Sequence, residues 1–319
     1  MKGHKKIEMA NFNCTFGDKD EPMLTHFKDI MYPALKSSKR RIEKDGNQYF
    51  IEELRVYNTQ DLGVILVGLH ILKTQLEVKS IYEEGVGLKS IDRKHDSGPY
   101  SAFIIILKNH RMIHIRNQKG SPSIKSFAKT IRFLIQDYVK SENSHRSDKE
   151  KLPQAFINVT NIPSPESIDD QFRKINKIKL VTFRLYPLNG EIEVVDIFNG
   201  FRDQLATAES KSGNMNINNP KNKQEVSSII KEAGDRVDTT LKTILEDGTE
   251  KTFKNNDFSE KIPVYLSEHE DDIHKNILNA LDYVRNRNEL FSASELNQEI
   301  YSESRDSLVD FIREISKKK

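Results

Sequence analysis

Five runs rich in β-branched and aromatic residues, at 49–57, 64–72, 76–82, 100–107 and 112–116, follow one another along the first half of the chain and lead into an amphipathic helix. The intervening turns, including Asn109-His110, suit a meander of antiparallel strands. Gly120-Ser121-Pro122 supplies a serine cap with proline at the first helical position, and Ile124, Phe127, Ala128, Ile131, Leu134, Ile135 and Tyr138 then recur on one face. Ahead of the meander, Leu24, Phe27, Ile30, Met31 and Leu35 follow Asp20-Glu21-Pro22 at helical spacing, with Pro33 expected to kink or shorten that helix.

Residues 141–151 contain no large apolar side chain, which marks a solvated connector. Beyond it the chain reads as a strand at 179–186, the turn Asn189-Gly190, a strand at 191–195, a helix carrying Ile197, Phe198, Phe201 and Leu205, and a polar loop at 209–219. A helix at 223–233 ended by Gly234, a hairpin around Asp247-Gly248 and a strand at 262–266 complete a second unit. Two C-terminal amphipathic stripes, Ile273, Ile277, Ala280, Leu281 and Val284, then Leu308, Phe311, Ile312 and Ile315, are expected to cover the second sheet or to bind another subunit. Strands joined by hairpins, with helices in separate groups, indicate the α+β class. The expected organisation is an N-terminal antiparallel module at 1–140, a linker at 141–152, a hairpin-rich module at 153–266 and a helical segment at 267–319.

Charge gives the functional clue. The formal net charge is only +2, yet residues 97–136 contain no aspartate or glutamate beside Lys108, Arg111, Arg116, Lys119, Lys125, Lys129 and Arg132. Cations without intervening carboxylates raise the potential over one surface and attract polyphosphate. Lys125, Lys129 and Arg132 fall at i, i+4 and i+7, opposite the apolar face of their helix. Lys119-Gly120-Ser121-Pro122-Ser123 places a cation and hydroxyls at the helix N-terminus, where free N–H groups favour an anion. The bland alternative is a solvated amphipathic helix whose cations pair with Glu83, Glu84 or Asp137.

Other chemistry is thinner. Asp61 with Glu77-Val78-Lys79 has the spacing of a metal-dependent nuclease, two carboxylates for Mg²⁺ and a lysine for the attacking water, although Asp61 falls in a turn. His110 and His114 share a strand face about 13 Å apart, too far to chelate one ion. His269 and His274, with Glu270, Asp271 and Asp272, read as the charged first turn of a helix. The single cysteine, Cys14, rules out an intrachain disulfide and reads as a packed thiol. No glycine-rich phosphate loop or nucleophile elbow occurs, so no cofactor is expected. No apolar run approaches a membrane span or signal-peptide core, which favours a cytoplasmic protein, and frequent Lys, Asn and Ile suit an AT-rich bacterial genome. The sequence thus reads as a non-catalytic DNA- or RNA-binding protein. An interaction subunit recognising an acidic partner, or self-associating through its C-terminal helices, is the alternative, and a nuclease is third.

Overall fold

The computed structural model describes residues 3–190, 195–266 and 273–317. The large antiparallel sheet is built from β1 (Gly3–Phe16), β2 (Glu21–Pro22), β3 (Arg41–Ile42), β4 (Gln48–Thr59), β5 (Gly63–Glu83), β6 (Gly87–Ser97), β7 (Tyr100–Ile106) and β8 (Arg111–Arg116), joined by β9 (Ala155–Asn161) and, much later, β14 (Lys261–Leu266). Its order is β14-β1-β8-β7-β5-β4-β3, with β2 and β9 also on β1 and β6 on β5. The meander from β4 to β8 is present as the sequence implies. Two features differ. The runs at 64–72 and 76–82 are one 21-residue strand, β5, and the expected loop after it contains β6.

The strand that organises the sheet is β1. Its first half pairs with β14 and β8, and its second half with β9. The large sheet therefore takes strands from both sides of the 141–152 segment. In particular β14 does not close the second sheet as expected; it lies on β1. Residues 144–151 are exposed, and Asn143 clasps Leu152 through bonds of 2.9 and 2.7 Å.

Alternation along the strands divides the apolar side chains between two cores. Phe12, Phe16, Phe103 and Leu66 point toward α1 (Tyr32–Lys36) and α2 (Ile124–Asn143), whose Phe127, Ile131 and Ile135 fill that side. Ile7, Ile65, Val67, Ile104 and Ile113 point the other way. The unbroken apolar run from Val64 to Leu69 fits a strand covered on both faces. At Gly68 a Cβ would lie 2.7 Å from the Phe103 ring, so glycine there lets that ring reach Phe127, 4.8 Å away between centroids. Before α1 the expected single helix is divided. Met23–His26 is a 3₁₀ turn and Phe27–Met31 a π turn, closed by Tyr32 N–H on the Phe27 carbonyl. Pro33, which lacks the N–H of a regular ladder, follows at the start of α1.

The smaller sheet runs β11-β10-β12-β13, with β10 (Ile175–Leu185), β11 (Gly213–Asn218), β12 (Asp238–Leu245) and β13 (Glu250–Lys254). The helices α3 (Pro165–Phe172), α4 (Asp196–Thr207), α5 (Lys223–Ala233) and α6 (Asn255–Phe258) surround it. Phe183, Phe198, Ile230, Leu241 and Phe253 form its core. Strand β11 occupies part of the expected polar loop, its asparagines alternating with Met215 and Ile217 on a sheet edge. The strand expected at 191–195 falls mainly outside the described residues, as do His269 and its acidic neighbours.

The last helices do not cover the smaller sheet. Residues of α7 (Ile273–Asn279), of the turn after it and of α8 (Asn288–Phe291) place Ile277, Ala280, Val284 and Leu290 on the second face of the large sheet. In α9 (Glu295–Lys317), Tyr301, Leu308, Phe311, Ile312 and Ile315 pack on its first face. The described residues of both stripes pack within the chain, on the large sheet and not on the smaller one. No helix among the described residues is long and apolar enough to cross a membrane.

Candidate nucleic-acid interface

The two sheets meet along a polar seam, and the basic segment lies across it. Arg111 forms a buried ion pair with Asp235, whose carbonyl accepts from the Tyr186 hydroxyl at 2.6 Å. Asn13 donates to the Pro187 carbonyl and accepts from Asn189 N–H at 2.7 Å, while Ser294 Oγ donates to Gly190 O at 2.5 Å. Arg111 thus joins the sheets and presents no charge to solvent, contrary to the sequence reading. A guanidinium stays charged when it is taken out of water, so burying it calls for a partner carboxylate, and that partnership consumes Arg111.

Next to the seam, a cleft of about 440 Å³ opens between α2, β9 and the smaller sheet. Lys125, Lys129 and Arg132 line one wall, at the spacing that puts them on a single helix face. Arg184 from β10 and Lys254 from β13 add two cations from the opposite side. Five asparagines, Asn158, Asn161, Asn214, Asn255 and Asn256, supply amide donors and acceptors. The one acidic residue is Asp238. Burial pushes its carboxyl above the usual range, while hydrogen bonds from Thr160, at 2.7 Å, and Asn158 and the charge of Arg184 act against that shift. Arg132 is half-buried, donates to Ile157 O at 2.7 Å, and is pushed below its ordinary value by burial and by Arg184. Among the described residues no ion pair engages Lys125, Lys129 or Arg184. The expected pairing with Glu83, Glu84 or Asp137 does not occur: Glu83 pairs with Lys89, and Asp137 with Lys39 at 3.4 Å.

The remaining sequence candidates are scattered. Lys108 lies at the β7–β8 turn, the opposite end of β8 from Arg116. Arg116 approaches Glu8 at 3.4 Å. Glu8 is lowered overall: burial raises it, but the neighbouring His114 and Arg116 outweigh that effect. Lys119 is exposed in the turn before α2. The anion site expected at the helix start is closed from within. Ser123, not Ser121, is the N-cap and accepts from Ser126 N–H at 3.2 Å, while Ser121 Oγ accepts from Gln118 N–H at 3.0 Å. His110 and His114 are buried. They belong to the core.

The nuclease constellation does not assemble. Asp61 is in the turn before β5 and Glu77 far along that strand, about 45 Å away by strand rise. Glu77 instead bonds Lys94 at 2.9 Å across the hairpin, and Asp61 lies 3.9 Å from Arg285. What sequence reading missed was the second wall of the cleft: Arg184 and Lys254 come from strands 52 and 122 residues beyond Arg132 and have no local signature. No protein-family model matches this chain, and neither a curated protein nor a solved structure matches it.

Proposed function

We infer that the cleft binds a nucleic-acid backbone without regard to sequence and without catalysis. The observation carrying this reading is the cleft itself, where five cations from three separate elements converge on a lining with a single carboxylate, Asp238. Such a surface lowers the free energy of a polyphosphate along its length, whereas scattered surface cations do not. The amides offer further contacts to phosphate, sugar or base edges. The buried, unlinked Cys14 suits a cytoplasmic setting.

The test is fluorescence anisotropy with duplex and single-stranded DNA and RNA at several salt concentrations. Three phosphate contacts from Lys125, Lys129 and Arg184 contribute roughly −2 to −2.7 to the slope of log affinity against log salt. Changing all three to Glu removes that contribution for every sequence tried, and the melting temperature stays near that of the wild type because none of the three is buried. Arg132 is left unchanged because its backbone bond is structural. A wild-type protein that binds none of these nucleic acids, or a triple variant with unchanged affinity and slope, defeats the reading.

A further inference from the structure

Among the described residues, no side chain of the outer β5–β6 hairpin belongs to any of the three buried cores. Lys73 is the last residue of β5 paired with β4, and from there to Glu83 the strand has only β6 beside it. At about 3.3 Å per residue this is an arm roughly 30 Å long. Leu76, Tyr82 and Leu88 are 58, 75 and 76 % exposed on it, and Val86 at its tip 66 %. A two-stranded ribbon is marginal alone in water, and one apolar face left open makes a partner favourable. Residues 74–97 carry four Lys or Arg against five Asp or Glu, so the arm is not built to grip a polyanion.

The free edge of β5 points to the partner. Leu72 N–H donates to Pro99 O, so even-numbered residues of β5 direct their backbone groups toward β7 and β6, and odd-numbered residues direct theirs to the open edge. The irregularity between Val78 and Ser80 takes its extra residue from β6, which leaves the alternation of β5 intact. An antiparallel neighbour must therefore set odd residues opposite odd ones. We propose that this neighbour is the same edge of a second copy, paired over residues 75–81, beyond the reach of β4, with the two-fold axis at Val78.

In that register Glu77 faces Lys79 of the second copy, twice by symmetry, and Gln75 faces its Ile81, with no like charges opposed. The neighbouring registers fail on charge or on space. Centring on Glu77 or Lys79 opposes that residue to itself, centring on Ser80 opposes Glu77 to Glu83, and centring on Leu76 carries the second copy's Lys79 onto Lys73, whose edge Gln48 of β4 already occupies. On the other face the favoured register sets Val78 against Val78 and Leu76 against Ser80. It gathers the apolar residues of both arms on one side of a four-stranded sheet.

Sedimentation analysis of the full chain over a concentration series tests this, with melting curves to verify each variant's fold. We expect a reversible dimer. Lys79→Glu opposes two carboxylates twice and raises the dimer Kd about ten-fold or more, and adding Glu77→Lys restores the opposite-charge pairs and recovers most of the affinity. Val78→Cys, at the axis in a non-hydrogen-bonded pair, forms a disulfide-linked dimer on mild oxidation, whereas Ser80→Cys, opposite Leu76, does not. Cys14 is buried and does not compete. If a charge variant fails to fold, the Val78 cross-link in the otherwise unchanged chain decides. A monomer at tens of micromolar, a dimer insensitive to Lys79→Glu, or the absence of the Val78 cross-link overturns the proposal. So does an arm that instead binds lipid vesicles or DNA as a monomer.

Discussion

Strand β5 passes through two environments without changing its backbone pairing type. Over Val64–His70 every residue is buried, because helices cover both faces of the sheet; beyond Lys73 the same strand is largely exposed on both. The sequences differ accordingly. Val-Ile-Leu-Val-Gly-Leu is continuously apolar, as two-sided cover requires, whereas Leu76-Glu77-Val78-Lys79 alternates before Ser80 and Ile81 break the pattern. The inner half thus spends its apolar surface within the fold. The outer half retains apolar side chains that none of the described residues covers.

The largest expected effect is on the inner half. Leu66→Ala removes a fully buried side chain from the core beneath α2 and should cost about 2–5 kcal/mol in urea unfolding. Leu76→Ala, the same chemical change on the arm, should stay within about 0.5 kcal/mol when measured below the dimer concentration. Equal losses at the two sites would erase the distinction between the halves.

The second effect is a pH dependence carried by the buried histidines of the body. Burial lowers His70, His110 and His114, reaching about 3 for His110, with the Arg111 charge adding to burial there. Below an unfolded value of about 6.5 the unfolded chain binds protons that the folded core refuses. Stability is therefore full above that pH and falls as pH drops. His110 alone contributes about 1.4 kcal/mol per unit between roughly pH 5.5 and 3.5. His110→Asn keeps a residue tolerant of its positive φ of 58° and should remove that share of the slope in unfolding midpoints taken from pH 7 to 4. An unchanged slope would mean that His110 is protonated in the fold.

These contrasts also show what was readable in the residues. Turn chemistry at Asn109-His110 and Asp247-Gly248, and the periodicity of α2, are local signals, and the α+β class follows from them. The alternation of Ala10, Phe12, Cys14 and Phe16 with polar residues was equally local, but Lys5, Lys6 and Glu8 obscure the start of β1, which was not anticipated as a strand. Strand β6 has no apolar period at all, because neither of its faces is covered. At the cleft, Lys125, Lys129 and Arg132 were legible from helical spacing. Their partners Arg184 and Lys254 depend on how two sheets dock, and the loss of Arg111 to Asp235 depends on the same docking.

Removing the whole arm should likewise have only a small effect on stability. Thr74 pairs with Ser97 and Gln75 with Asp96, so replacing residues 76–95 by Asn-Gly leaves a short hairpin whose type I′ turn suits the strand twist. None of the excised residues belongs to either core of the large sheet. Unfolding free energy at submicromolar protein should therefore change by less than about 1 kcal/mol, the scale of a surface substitution set. The cleft lies at α2 and the smaller sheet, so affinity for short oligonucleotides should be retained while sedimentation shows a monomer. A loss above about 2 kcal/mol would mean that the arm supports the body, and the two halves of β5 would then form one cooperative unit.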